Sequence, residues 1–555
     1  MRGVVVALFL LLLTPCAEAG SQAVASHAAL STVSPYATQV GLSILKKGGN
    51  AVDAAVAVSF ALAVAHPQAG NLGGGGFLLY YDAKTKAVWS LDFREVAPLG
   101  ATRDMFAKEP AASQTGALAI GVPGTVAGLD AMHQRFGTLR WKELVAPAAR
   151  LARDGVKTDA TLQADLAAAR EKRHIEQFGA TAALFFPNDK PLPAGSTLVQ
   201  PDLANTLERI ATFGARELYE GDIAKKLIEY VRTSGGLLGY RDLHDYTPVW
   251  RSPIRIKFRG YDIYTMAPPS AGGLVIGESL NILNGYDLNA AGFQTPASIH
   301  LLAEAMRRAY IDRNKYLGDP ASARIPYREL LSSERAQQWR ASIDVKKSTP
   351  THLLAEPGTN VAEGQHTTHF TIVDEHGNVV AMTTTLNDNF GSGLIVPGLG
   401  FFLNNEMDDF TSAPGKPNRY GLVQGTANAI EPGKRMASSM SPTIVLKNDK
   451  PYLALGTRGG PTIPTSVLQV LLNVLVYKKP LAEAVAAPRY HQQAVPEDVA
   501  YEEGRAPKPL LASLNEMGHG VHGREPIGDV HAILIDGGRL TAVADPRAGG
   551  AAGGY

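Results

Sequence analysis

Thr367-Thr368-His369-Phe370-Thr371-Ile372-Val373-Asp374, then Glu375-His376-Gly377-Asn378, then Val379 to Asn387, reads as two strands joined by a tight turn. If the four middle residues form the turn, positions 374 and 379 pair, and so do 367 and 386. Thr385 and Asn387 then share one face of the return strand, as diagonal neighbours of Thr367. A threonine hydroxyl is a poor nucleophile until a base sits beside it. Cutting the chain in front of the threonine supplies that base, because the freed α-amine takes the proton. The stretch before Thr367 suits such a cut. Residues 344 to 366 contain Pro350, Pro357, Gly358 and Gly364 among many polar residues and keep no period, which predicts an exposed, mobile segment ending at His366. Thr-Thr is also ordinary strand material, since β-branched residues favour strands. The surroundings decide between the two.

Working outward, the 555 residues are 45% hydrophobic and 19% charged, enough apolar material for a large packed core. The net charge of +1 argues against a dominant nucleic-acid or acidic-membrane partner. Residues 1–19 read as a signal peptide: Arg2, a short apolar run from Val4 to Leu13, then Ala17-Glu18-Ala19. The run is too short to span a membrane. The single cysteine, Cys16, lies inside it, and Pro15 makes a poor lipid-anchor site. Residues 20–555 therefore hold no thiol nucleophile and no disulfide. They also hold no Asn-x-Ser/Thr site, and a periplasmic or secreted bacterial protein is expected.

The rest alternates helices and strands. Ala37 to Lys47 has helical apolar spacing and a glycine stop at Gly48-Gly49. Asn50 caps a following helix, Ala51 to Ala65, with Asp53 in its first turn. That helix is apolar nearly all round, so burial is expected. Ser298 opens a third, and Thr465 to Tyr477 a fourth. Gly73-Gly74-Gly75-Gly76 lacks the lysine and hydroxyl of a phosphate loop and reads as a close-packed turn.

Three further clusters carry chemistry. Asn404-Asn405-Glu406-Met407-Asp408-Asp409 packs three carboxylates into a short loop, which suits an ammonium ion, an acid/base pair or a solvated face. No histidine stands at metal-ligand spacing, so no metal or other cofactor is expected. Ser438-Ser439-Met440-Ser441 is a hydroxyl-rich turn. Gly459-Gly460 precedes an apolar helix, where paired backbone N–H groups suit a developing oxyanion, although a plain tight turn reads the same way.

Taken together, Thr367-Thr368-His369, Asn404-Asn405 through Asp409, Ser438-Ser439, Gly459-Gly460 and Asp92-Phe93-Arg94-Glu95 resemble the gamma-glutamyltranspeptidase family, as do His66 to Gly70 and Pro268-Pro269-Ser270. The resemblance covers essentially all of residues 20–555. It implies an α+β, four-layer αββα sandwich of the N-terminal-nucleophile hydrolase class. It also implies self-cleavage between His366 and Thr367 into a large subunit, 20–366, and a small one, 367–555, which stay together. By the same resemblance Thr367 is nucleophile and base, Thr385 assists it, and Gly459 and Gly460 form the oxyanion hole. Arg94, Ser438 and Ser439 hold the glutamyl α-carboxylate, Asn387, Glu406 and Asp409 its α-ammonium, and Tyr420 belongs to a lid loop. The implied substrates are glutathione and other gamma-glutamyl compounds, with water, amino acids or dipeptides as acceptors. Three positions depart from the usual pattern: Glu406 where many bacterial members have glutamine, Arg458 where proline is usual, and Pro461, which has no N–H to donate. The rival readings are a related glutaryl-cephalosporin acylase, whose substrates lack the α-ammonium, and an inactive binding homologue.

Overall fold

The computed structural model describes residues 20–354, 366–411 and 425–555. The proposed signal peptide with Cys16, residues 355–365 before His366, and Tyr420 lie outside these residues. Two seven-stranded antiparallel sheets stack face to face. The first runs, edge to edge, Ala551–Gly554, Ala29–Thr32, Thr367–Val373, Val379–Thr385, Gly75–Asp82, Ala87–Asp92, Val249–Arg251. The second runs Gln22–Ala25, Arg539–Ala544, His531–Asp536, Lys450–Gly456, Thr443–Lys447, Tyr261–Thr265, Ile254–Phe258.

Alternation along the strands sorts the side chains into layers. Phe370, Ile372, Val380 and Met382 face outward and pack against the helices that include Pro35–Lys46 and Ala51–Ala65. Val373, Val379 and Ala381 face inward and meet Ile444, Ala454 and Ile533 of the second sheet. The outer face of the second sheet is covered by Gly272–Leu283, Pro296–Tyr316 and Thr462–Leu475. Helix, sheet, sheet, helix is the expected four-layer sandwich.

Local signals behave as the chemistry requires. Asn50 accepts from the N–H groups of Val52 and Asp53, and Asp53 returns a bond to the Asn50 N–H at 3.0 Å, closing a capping box. Every residue of Ala51–Ala65 but the last is buried. The helix expected from Ser298 begins at Pro296, capped by Thr295, two residues earlier.

The hairpin differs from expectation by one residue. Val373 pairs with Val379 and Thr367 with Thr385, not 386. The cause is Asp374: its Oδ1 accepts from the N–H groups of His376 and Asn378, each at 2.9 Å, which draws it out of the strand and makes a five-residue connection. The return strand ends at Thr385, and Asn387 lies beyond it with φ +79°. Two other expectations change. Gly75 and Gly76 open a strand rather than a turn, and the stretch after 344 contains a short helix, Thr351–Leu354.

Candidate active site

The inward face of the central strands is apolar at the turn end and polar at the other. Thr367, His369 and Thr371 face Thr383 and Thr385, and all five are buried. The His369 ring is occupied on both sides, by Thr383 Oγ1 at 2.8 Å and Thr371 Oγ1 at 3.0 Å. Burial holds its pKa well below the usual value, so the ring stays neutral and bonded away from Thr367.

Thr367 Oγ1 lies 3.5 Å from Thr385 Oγ1. The Thr385 hydroxyl donates to the carbonyl oxygen of His366 at 3.0 Å and accepts from the Asn387 N–H at 2.8 Å. One hydroxyl therefore touches both the candidate nucleophile and the peptide bond in front of it. Asn387 carries the connection onward, since its Nδ2 donates to the Asn405 carbonyl at 3.0 Å. Thr385 and Asn387 thus both reach the site, as expected, although through the strand end rather than a shared face.

Beyond Asn405 lies a buried charge cluster. Arg94 Nη1 is 2.5 Å from Glu406 and 3.6 Å from Glu95, and Nη2 bonds Asp409 and, at 3.0 Å, the Ala437 carbonyl. One guanidinium faces three carboxylates. Burial disfavours charge here, yet the three acids outweigh it and hold the Arg94 pKa above its ordinary value. Burial pushes Glu406 well up, and pushes Glu95 up to about 8 against the pull of Arg94. Both side-chain oxygens of Glu95 are buried without a hydrogen-bond partner, whereas Glu406 is held by its ion pair with Arg94. The three-carboxylate loop is therefore no solvated face: Glu406 and Asp409 are buried and turned onto Arg94.

Glu95 was not among the sequence candidates. It sits over Gly75, where a Cβ would come within 2.5 Å of its Oε2, and Gly75 pairs with Thr385. The adjacency Arg94-Glu95 is the only sequence signal for it. Asn71 was missed too. Its Nδ2 donates to the Thr385 carbonyl at 3.0 Å and Thr384 Oγ1 at 3.1 Å, pinning the end of the return strand.

The serines come from the turn before strand Thr443–Lys447. The Ser438 N–H donates to the Pro269 carbonyl at 3.0 Å, and its Oγ accepts from the Met440 N–H at 3.2 Å. Ser439 Oγ is buried and unpartnered. Gly459 and Gly460 have φ +131° and +54°, conformations that suit glycine, and lead through Pro461 into helix Thr462–Leu475. Among the described residues no group of three or more metal-ligating side chains gathers.

Sandwich and site together define the N-terminal-nucleophile hydrolase class. The gamma-glutamyltranspeptidase family model matches residues 37–555, and the chain belongs to that family. It is 43% identical over 529 residues to a glutathione hydrolase proenzyme of Escherichia coli (strain K12), covering 94% of this chain and 91% of that one. A proenzyme of the same description from Pseudomonas aeruginosa is also 43% identical, with 94% and 93% covered. Among solved structures, a cephalosporin acylase from Bacillus halodurans superposes with TM-score 0.86 at 28% identity over 99% of both chains. Helicobacter pylori gamma-glutamyltranspeptidase gives TM-score 0.57 at 39% identity, over 60% of this chain and 96% of that one.

Proposed function

We propose that this enzyme is a gamma-glutamyltransferase and glutathione hydrolase that matures by cutting itself between His366 and Thr367. The observation that carries this reading is the Thr385 hydroxyl, in contact with both Thr367 Oγ1 and the His366 carbonyl oxygen. In maturation Thr367 Oγ attacks the His366 carbonyl carbon, the peptide C–N bond gives way to an ester, and water releases residues up to 366. The freed amine of Thr367 then serves as base. In turnover Thr367 Oγ attacks the gamma-amide carbon, passing its proton through that amine to the leaving nitrogen. Gly459 and Gly460 N–H groups hold the oxyanion. The resulting glutamyl ester goes to water or to an acceptor amine.

The charge cluster supports an amino-acid substrate. Arg94, Ser438 and Ser439 suit an α-carboxylate, and Asn387, Glu406 and Asp409 suit an α-ammonium. Strands Ala29–Thr32 and Gly75–Asp82, from before the cut, flank the hairpin after it, which supports subunits 20–366 and 367–555 remaining interleaved. Among the described residues no helix is long and apolar enough to cross a membrane, and we assign the protein to the periplasm or exterior on its proposed signal peptide.

The test is a denaturing gel of the purified chain. Two fragments are expected, the smaller with Thr367 at its N-terminus. Thr367→Ala should remain a single chain without turnover, and Thr367→Ser should still cleave more slowly. Normal maturation of the alanine variant would remove Thr367 as nucleophile. The likeness to a cephalosporin acylase favours a second reading, hydrolysis of glutaryl amides. A wild type that prefers a glutaryl anilide to a gamma-glutamyl anilide would select it.

A further inference from the structure

Arg458 stands on the loop between strand Lys450–Gly456 and helix Thr462–Leu475, directly before Gly459. Packing of the two sheets carries this loop to the Thr367 end. Gly456 lies against the His369 ring so closely that a Cβ there would collide with it. Thr371 Oγ1 donates at 3.0 Å to the carbonyl of His531, the residue paired with Gly456. Val373 and Ala454 meet in the apolar layer further along. The two strands thus pass in opposite senses, and the chain leaving Gly456 runs past His369 toward Thr367.

Arg458 is half-buried, and among the described residues its guanidinium makes no hydrogen bond or ion pair. Of the nearby acids, Asp165 bonds Gln68 Nε2 at 3.3 Å and is raised by burial against the pull of Arg458, and Asp388 bonds Asn405 Nδ2 at 3.1 Å, but neither forms an ion pair with the guanidinium. Its field reaches the residue before the nucleophile. Burial pushes His366 down to about 4, and Arg458 adds to that shift against the pull of Asp388. A partly desolvated guanidinium with no hydrogen bond or close ion pair is costly in an empty site and favourable once an anion enters.

We propose that Arg458 is a specificity-determining residue that holds the α-carboxylate of the incoming amino-acid or dipeptide acceptor. This rests on the transferase reading given above. A guanidinium fork matches a carboxylate in two parallel bonds, and the loop places it beside the glutamyl ester. With its carboxylate held, the acceptor amine forms an amide bond to the glutamyl carbonyl carbon. The bond from that carbon to Thr367 Oγ breaks, and the amine's proton passes to the threonine oxygen.

The experiment uses the matured enzyme, one gamma-glutamyl anilide donor, and two acceptors, glycylglycine and glycylglycine amide. In Arg458→Gln the KM for glycylglycine should rise about tenfold, the loss expected for one charge-assisted pair, while KM for the amide moves by less than about twofold. Arg458→Lys should recover part of the preference. An equal loss on both acceptors would overturn the proposal and assign Arg458 to the oxyanion, and an unchanged glycylglycine KM would overturn it outright. A wild type that transfers to neither acceptor would overturn the transferase reading, and this proposal with it.

Discussion

Two of the buried clusters of arginine and carboxylate among the described residues are built on opposite plans. At the C-terminal side Arg489 and Arg547 meet Glu502 and Asp545. Arg547 Nε is 2.5 Å from Glu502 and its Nη1 2.9 Å from Asp545, while Arg489 reaches Asp545 at 2.5 Å and the Ile527 and Val485 carbonyls at 2.6 Å each. Backbone N–H groups of Ile527 and Val530 complete the carboxylates. Burial opposes their charge, but the arginines win: Glu502 is lowered and Asp545 falls to about 2. Around Arg94 one guanidinium faces three acids, Glu95 and Glu406 are pushed up instead, and both Glu95 oxygens have no hydrogen-bond partner. The first cluster is a closed structural tie. The second holds unsatisfied acceptors, which an arriving ammonium would complete, and perturbed groups of this kind gather at functional sites.

Three substitutions separate the two plans. The largest effect is expected in the closed cluster. Asp545→Asn leaves Arg489 without its carboxylate and Arg547 with Glu502 alone, and removing one partner of a buried pair costs about 3–5 kcal/mol of folding stability. Denaturant unfolding should show it, and the fraction still folded should turn over normally. A loss below about 1 kcal/mol would erase the distinction drawn here. Next comes Asp409→Asn at the open cluster. Turnover of a gamma-glutamyl anilide should fall roughly tenfold to a thousandfold, because the substrate ammonium loses its partner. A glutaryl anilide has no ammonium and should suffer much less. Equal losses on both would make Asp409 structural.

The smallest effect is a pH slope. Glu95 has its pKa raised from 4.5 to about 8 in the folded state, so between those values the native chain binds the extra proton. Its contribution to stability is complete below about 4.5 and is lost as pH rises through about 8. Melting temperature should therefore decline between about pH 5 and 8, and Glu95→Gln should flatten that decline. An identical slope in both proteins would show that Glu95 does not carry the proton.

Much of the site was legible because its signals are local. Thr367 at the head of a hairpin, Arg94 in Asp92-Phe93-Arg94-Glu95, and Gly459-Gly460 before a helix announce their chemistry in a few residues. The hairpin register was not legible to the last residue. The pattern is the same for a four- or five-residue connection, and only the Asp374 side chain, bonding two N–H groups ahead, chooses the second. Glu95 was hidden because nothing in a lone glutamate shows that its side chain lies against Gly75, the residue paired with Thr385. The three acids of the 404–409 loop read equally well as solvated.

By itself the sequence determined which residues are available and the order in which strands and helices form, since alternation, caps and turn residues act within a few positions of one another. It also excluded a thiol nucleophile from residues 20–555, which contain no cysteine. Only the tertiary structure decided the charge state of the Arg94 cluster, the neutrality of His369 and the open valence of Arg458. Those properties depend on burial and on partners hundreds of residues away, such as Asp409 to Arg94, and the energy of a charge is set by what surrounds it in space rather than by its neighbours in the chain.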